Sequence, residues 1–199
     1  MKELSNQVAL VTGAARNIGR AIACDLADGG ADVVLVARSD RAGLDETAEL
    51  IRAKGGTALV VQADITDEAS VNALAKEVET TFGKLDCLVN NAALRAEDEF
   101  EAITLAQWRD VMAVNLDGTF LVTRAMMPLL KKSKAAAIIN MGGLTAYTGA
   151  AKRAHVVAAK AALDGLTKAL AHEFAPIGVT VNLVSPGLID TARHGRSAA

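Results

Sequence analysis

Short, almost wholly apolar runs alternate with longer helical stretches along nearly the whole chain. The runs cover residues 8–12, 32–37, 58–63, 85–90, 137–141 and 179–184. Runs of this length without polar alternation are typical of parallel strands that are buried on both faces. The helical stretches between them cover residues 18–28, 41–54, 68–82, 105–130 and about 154–174. This alternation predicts βαβ units with right-handed crossovers, and therefore an α/β fold with a doubly wound (Rossmann) parallel sheet.

Composition and charge narrow the class of protein further. No linker or repeat interrupts the pattern, so residues 1–199 are predicted to form one domain. No apolar run approaches the ~20 residues of a membrane helix, and residues 1–7 show no secretory signal, so the expected location is cytoplasmic. The net charge is −2 with scattered Lys and Arg, which argues against a nucleic-acid partner. Cys24 and Cys87 are expected to be buried thiols rather than a disulfide, and no metal site is expected.

The first strand runs directly through a glycine-containing segment, T-G-A-A-R-N-I-G, into the first helix. Gly13 permits a tight turn, and Gly19 allows the helix and the strand to approach closely. The helix that starts near Ile18 presents unpaired N–H groups and the positive end of its dipole, which together suit a diphosphate. An ordinary strand-to-helix turn is the alternative interpretation of this segment.

Five motifs in a fixed order resemble those of the short-chain dehydrogenase/reductase family, from Val8 to about Thr191. They are T-G-x-x-x-x-I-G, N-N-A after the fourth strand, an Asn in a long helix, a Lys-bearing helix, and P-G after the sixth strand. The resemblance is nearest to members that are similar to 3-oxoacyl-carrier-protein reductases. It implies a nicotinamide dinucleotide, a small carbonyl or alcohol substrate, and a homo-oligomer, either a dimer or a tetramer. The loop departs from the family at Asn17, where a glycine is usual, although Asn tolerates left-handed backbone geometry.

Family members continue with a lid region, a last helix and a last strand. The resemblance therefore implies that this C-terminal strand and lid are absent from residues 1–199.

The end of the second strand indicates which dinucleotide binds. An acidic residue there would bind the ribose hydroxyls of NAD, but the family's position for that acid is occupied by Ala37. Arg38 follows it, and Arg16 lies in the loop, so two guanidinium groups are available for a 2′-phosphate. We therefore expect NADP(H), with NAD(H) as the alternative if both arginines are only solvated surface charges.

The resemblance also implies cofactor contacts from several segments at the carboxyl ends of strands. The expected cofactor-binding residues are Gly13, Arg16, Asn17, Ile18, Gly19, Arg38, Asp64, Ile65, Asn91, Ala92, Lys160, Pro186, Gly187, Ile189 and Thr191. Two of them have structural alternatives. Asp64 is an N-cap candidate, although Asp67 is better placed for that role, and Asn91 is suited to tying adjacent strand ends together.

The family's reaction uses a Tyr that exchanges a proton with the substrate, a Lys four residues later, a Ser that polarises the substrate oxygen, and an Asn that holds a water. By resemblance, Asn115 and Lys160 match two of these four positions. The other two are occupied by Val156 and Gly143, whose side chains cannot transfer a proton. If the lost contributions added, the deficit would be roughly 5–9 kcal/mol in activation free energy.

Two nearby residues are candidate replacements for the missing acid. Histidine is a common proton donor, and His155 adjoins the family's Tyr position, but one residue along a helix is a rotation of about 100°, away from the face of Lys160. Tyr147, the only tyrosine, lies in the loop after the fifth strand. The sequence therefore leaves two functions open: an oxidoreductase with a nonstandard proton donor, or a pseudoenzyme that binds the cofactor as a sensor, scaffold or partner subunit.

Overall fold

Six parallel strands form one sheet in the computed structural model, which describes residues 2–191. The strands are β1 Val8–Thr12, β2 Asp32–Ala37, β3 Ala58–Gln62, β4 Cys87–Asn90, β5 Ala137–Met141 and β6 Thr180–Val184. Their order in the sheet is β3-β2-β1-β4-β5-β6, and every neighbouring pair is parallel. The predicted doubly wound α/β fold is therefore confirmed, and its strands begin or end within two residues of the predicted limits.

Helices cover both faces of the sheet. They are α1 Asn17–Asp28, α2 Arg41–Ala53, α3 Glu68–Phe82, α4 Leu105–Met112, α5 Gly118–Leu130, α6 Thr145–Thr148 and α7 Ala154–Phe174. Short 3₁₀ turns cover Phe100–Ala102 and Ala175–Ile177. In the part of the chain that the structure describes, no helix is both long enough and apolar enough to cross a bilayer.

Alternate residues of each central strand pack into different halves of the core. In β1, Ala9 and Val11 join a cluster with residues of α1 and α2, whereas Val8 and Leu10 join a second cluster with residues of α3 and α5. All four are almost completely buried. Because each fully buried Val or Leu side chain contributes about 1.5–3 kcal/mol, this two-sided burial holds the sheet between its two helical layers.

The long helix predicted over residues 105–130 is interrupted in the structure. A π-helical turn, Ala113–Asp117, separates α4 from α5. Thr104 and Gln107 form a capping box at the start of α4, so its N-terminus follows a recognisable sequence pattern. The π turn has no such pattern, and turns of this kind occur frequently at functional sites.

A chain of buried polar side chains ties α5 and α7 to the sheet. Asn90 Nδ2 donates to the Thr123 hydroxyl at 3.1 Å and to Asn140 Oδ1 at 2.9 Å. Asn140 Nδ2 in turn donates to the Thr167 hydroxyl at 2.9 Å. Because a buried polar group without a partner costs about 1–3 kcal/mol, these bonds fix the position of α7 across the ends of β4 and β5.

The two cysteines are free thiols, as predicted, but both are only half-buried. Burial raises the pKa of Cys87 to about 11, so this thiol is protonated at neutral pH.

A candidate active site at the carboxyl edge of the sheet

The strand order reverses between β1 and β4, which are neighbours in the sheet. The connections from β1 and from β4 therefore leave towards opposite faces and open a crevice at the carboxyl ends of the two strands. Open α/β sheets bind their ligands at such a point. The segments that the sequence predicts as cofactor contacts follow β1, β2, β3, β4 and β6, so they meet at this edge of the sheet.

The loop after β1 has the backbone geometry that its glycines predict. Gly13 adopts φ +67°, and Asn17 adopts φ +52°. Asn17 therefore has the left-handed backbone geometry that an Asn tolerates. A Cβ on Gly19 would lie 2.1 Å from the carbonyl oxygen of Gly13. Only a glycine at position 19 therefore allows α1 to approach the end of β1 this closely.

Several amide groups in this loop lack a protein partner. The N–H groups of Ala15, Arg16 and Ile18 donate no hydrogen bond within the described residues 2–191. Arg16 stands at the N-cap of α1, and its side chain makes no capping bond. Unpaired amides at the positive end of a helix suit an anion, so this loop fits the diphosphate of a dinucleotide.

Thr12 and Asn91 tie the loop to the end of β4. The Thr12 hydroxyl accepts hydrogen bonds from the amides of Asn91 and Ala92, each at 3.0 Å. Asn91 Nδ2 donates to the carbonyl oxygens of Thr12 at 2.9 Å and Gly13 at 3.2 Å. The side chain of Asn91 therefore ties adjacent strand ends together, which was the alternative interpretation of this residue. The N-N-A segment still borders the crevice.

The predicted 2′-phosphate residue Arg38 lies at the end of β2, next to the segment that follows β3. Its guanidinium is 3.9 Å from Asp64, and most of its side chain is exposed. Partial burial favours the neutral carboxyl of Asp64, but hydrogen bonds from the amide and hydroxyl of Thr66, together with Arg38, hold its pKa below the usual value. The charged carboxylate therefore lies near Arg38 but makes no hydrogen bond to it. Asp67, not Asp64, caps α3, and the side chain of Ile65 is buried in the core.

Lys160 is a buried cation on α7. Only 7% of the residue is exposed, and its ammonium donates to the carbonyl oxygen of Met141, at the end of β5, at 2.5 Å. Burial lowers the pKa of Lys160 to about 8. An ammonium has three donors, and one is used here. The remaining donors fit the hydroxyl groups of a ribose, which is the contact that the resemblance implies.

Replacing Lys160 by Met is expected to remove an alkaline rise in stability. The pKa is about 8 in the folded chain against an ordinary value of 10.5, so the unfolded chain binds more protons between these two pH values. The unfolding free energy of the unmodified protein should therefore rise with pH in this window, by about 3 kcal/mol. Lys160→Met should lose this rise. Urea unfolding at pH 7, 8.5 and 10 without dinucleotide measures it, and parallel curves for the two proteins would contradict it.

Asn115 lies in the π turn and is almost completely buried. Its Oδ1 accepts from the amide of Leu94 at 2.8 Å, and its Nδ2 donates to the carbonyl oxygen of the same residue at 3.0 Å. Both ends of the side chain therefore hold the segment that follows β4, which forms one wall of the crevice.

The segments after β5 and β6 also meet. The amide of Gly142 donates to the carbonyl oxygen of Val184 at 2.8 Å, and that of Leu144 to Pro186 at 3.4 Å. Gly143, which the resemblance predicts to occupy the family's Ser position, therefore lies near the predicted Pro186–Gly187 contact. Further along this segment Ile189 is about half exposed, and Thr191 is half-buried.

The two candidate proton donors have very different surroundings. His155 is completely buried, and among residues 2–191 neither of its ring nitrogens has a hydrogen-bond partner. Its Nε2 lies 3.7 Å from Asp98, in the segment that follows β4. Tyr147, on the short helix α6, is 60% exposed. Solvent therefore reaches Tyr147 freely and does not reach His155.

Three residues that contribute to this edge were missed from the sequence: Thr12, Arg20 and Thr47. Thr12 belongs to the T-G motif, so a strand-ending hydroxyl next to the loop was a usable signal. Arg20 and Thr47 contact the loop from α1 and α2, 27 positions apart. No local pattern connects them, because their contact depends on the packing of the two helices.

Comparison with known proteins gives a consistent result. A family model described as "short chain dehydrogenase" matches residues 7–198. A 3-oxoacyl-[acyl-carrier-protein] reductase FabG of Staphylococcus aureus is 39% identical over 181 residues, or 91% of this chain and 74% of that protein. A 3-oxoacyl-[acyl-carrier-protein] reductase of Synechocystis sp. is 42% identical over 192 residues, or 96% of this chain and 77% of that protein.

Solved structures agree with the sequence relatives. A Sinorhizobium meliloti protein described as a short-chain alcohol dehydrogenase superposes with a TM-score of 0.93 at 35% identity, covering 98% of this chain and 77% of that one. A Beutenbergia cavernae protein, described as an NAD(P)-dependent gluconate 5-dehydrogenase with NADP bound at low occupancy, gives 0.89 at 37% identity, covering 96% and 75%. The family model that spans residues 7–198, and the relatives of 39–42% identity, show that the chain belongs to the short-chain dehydrogenase family.

Proposed function

We propose that the chain binds NADP(H) in the crevice between β1 and β4 and transfers a hydride between the nicotinamide and a small carbonyl or alcohol substrate. The observation that carries this proposal is the set of unpaired amides of Ala15, Arg16 and Ile18, which face no protein acceptor within residues 2–191. A 3-oxoacyl-like substrate is favoured by the names of the two reductases to which the chain is similar.

The bound nicotinamide ring supplies or accepts the hydride. The chain's own groups bind and orient: the loop amides hold the diphosphate, Arg16 and Arg38 neutralise the 2′-phosphate, and Lys160 holds the nicotinamide ribose. By the family resemblance, the segments of Asp64, Ala92 and Pro186 enclose the rest of the dinucleotide. The proposal also places the protein in the cytoplasm, as a homo-oligomer.

Proton exchange with the substrate is the weak step of this chain. Gly143 and Val156 have no side-chain proton to give, so we infer turnover that is slow by the standard of the family. Tyr147 is the better candidate for a replacement acid, because its side chain is exposed whereas His155 is buried. Tyr147→Phe should therefore reduce any turnover more than His155→Asn does.

A second function is favoured by the same two positions. A protein that retains Lys160 and the glycine loop, but has Gly143 and Val156 in place of the family's catalytic Ser and Tyr, is suited to bind a dinucleotide without turning it over. It would then act as a sensor, a scaffold or a partner subunit. NADPH oxidation by the purified protein, measured over a panel of small ketones, aldehydes and 3-oxoacyl thioesters, separates the two functions. Binding without oxidation of NADPH would favour the second.

Arg38→Ala should weaken NADPH binding about 10- to 100-fold and leave NADH binding nearly unchanged, because a charge-assisted contact to phosphate contributes about 1.5–3 kcal/mol. Calorimetric titration with each dinucleotide measures this. Arg41→Ala is the matched control, since Arg41 is also exposed but pairs with Asp45 on its own helix. If wild type prefers NADH, the assignment of NADP(H) is wrong.

A further inference from the structure

Two side chains behind the loop hold its carbonyl groups on the side away from the unpaired amides. Arg20 Nε and Nη2 donate to the carbonyl oxygen of Ala15 at 3.1 and 2.6 Å. The Thr47 hydroxyl lies 3.0 Å from the carbonyl oxygen of Ala14. Two successive peptide groups of the loop are therefore anchored through their oxygens.

The anchored oxygens determine where the amides point. In a planar trans peptide, the C=O of one residue and the N–H of the next point in opposite directions. Holding the oxygen of Ala14 towards Thr47 therefore turns the N–H of Ala15 away from α2. Holding the oxygen of Ala15 towards the guanidinium of Arg20 likewise turns the N–H of Arg16 away from that guanidinium. These two amides are among those without a protein acceptor in residues 2–191.

The support for these anchors is rigid. Thr47 is completely buried, and its hydroxyl also accepts from Arg20 Nε at 3.0 Å and lies 2.9 Å from the carbonyl oxygen of Gly43. Arg20 Nη2 reaches the same Gly43 oxygen at 3.2 Å and Glu46 at 2.8 Å. A Cβ on Gly43 would lie 2.8 Å from the oxygen of Ala15, so α2 lies directly against the loop.

We propose that Arg20 and Thr47 are positioning residues for dinucleotide binding: they hold the loop peptides so that the amides of Ala15 and Arg16 are already aimed at a diphosphate. Neither side chain contacts the ligand. They act by lowering the ordering cost that binding would otherwise include. This inference rests on the proposed binding of a dinucleotide, and it assigns to two residues outside the family motifs a part in that binding.

Thr47→Val and Arg20→Met are the test variants. Valine keeps the shape of Thr47 but removes its hydroxyl, and each variant should weaken NADPH and ADP binding about tenfold. Binding of adenosine 2′-monophosphate, which lacks the diphosphate and keeps its contact with Arg38, should weaken less than binding of NADPH and ADP. Thr47→Ser restores the hydroxyl and should restore the affinity for NADPH and ADP.

Two controls separate the possible results. Thr80→Val removes an exposed hydroxyl that donates to the carbonyl oxygen of Lys76 within α3 and should leave all three affinities unchanged. Urea unfolding establishes that each variant is folded at the titration temperature. If wild type binds NADPH and the folded Thr47→Val and Arg20→Met variants bind it equally well, or if all three ligands weaken alike, the positioning role is overturned. If wild type binds no dinucleotide, the proposed function fails instead.

Discussion

Introducing Ser at position 143 and Tyr at position 156 together should raise the rate of carbonyl reduction about 10³-fold over the unmodified chain. General acid–base catalysis contributes about 10²–10⁴ in rate, and a single donor to a developing oxyanion about 10²–10³. Groups that act together do not contribute additively, so the expected gain lies below the product of these ranges. Steady-state NADPH oxidation with the carbonyl panel measures it.

The structure has room for a serine side chain at position 143, and position 156 lies on α7 at the required distance along the helix from Lys160. A Cβ on Gly143 would meet no atom within 4 Å, whereas one on Gly142 would lie 2.6 Å from the hydroxyl of Ser185. Gly143 does not have a positive φ, so a serine there requires no backbone strain. Val156 is half-buried in the first turns of α7, four residues before Lys160. A tyrosine at this position would precede the lysine by four residues, which is the spacing that the resemblance implies for the catalytic Tyr and Lys.

The matched control moves the tyrosine by one residue. Val157 is also half-buried on α7, but it is rotated by about 100° around the helix axis. Gly143→Ser with Val157→Tyr should therefore gain little. If the designed pair folds and binds NADPH as wild type does, yet shows no gain, then the missing Ser and Tyr are not what limits turnover. A gain in the designed pair from a wild type without activity would favour the second function for the natural chain.

Local patterns were sufficient for the sheet and the glycine loop. Strands buried on both faces must be apolar throughout, so runs such as residues 32–37 could be identified without any partner. The left-handed backbone of Asn17, at φ +52°, follows from the residue type that occupies a glycine position.

Contacts between distant segments were not predictable in this way. The π turn around Asn115 has no local sequence signal. It is followed by Gly118, where a Cβ would come 2.7 Å from Ile65, a contact between segments that are distant in the chain. Helix geometry was sufficient to predict that His155 is rotated away from the face of Lys160. Its neighbour Asp98 was not predictable, because it lies 57 positions earlier in the chain. Side chains that meet only through packed helices need the fold before their contacts can be identified.

Gly19→Ala should abolish measurable dinucleotide binding, with a loss of at least about 100-fold in affinity, and should destabilise the fold by about 3 kcal/mol. The added Cβ would lie 2.1 Å from the oxygen of Gly13 and 2.5 Å from Asn91 Nδ2. Both are fixed by the bond between Asn91 and the loop. To admit the methyl group, α1 must move away from β1, which opens the loop and misdirects the amides that bind the diphosphate.

Gly165→Ala provides the comparison for this substitution. Gly165 is exposed on α7, and a Cβ there meets nothing within 4 Å, so alanine should stabilise the protein by about 0.5–1 kcal/mol and leave binding unchanged. Urea unfolding and NADPH titration are measured separately for both variants, below the unfolding transition of Gly19→Ala. Adenosine 2′-monophosphate would lose its contact with Arg16 in the loop but keep its contact with Arg38, so it should bind to folded Gly19→Ala more weakly but still measurably. Retention of NADPH binding by that variant would show that the loop amides are not what holds the dinucleotide, and the proposed function would lose its main support.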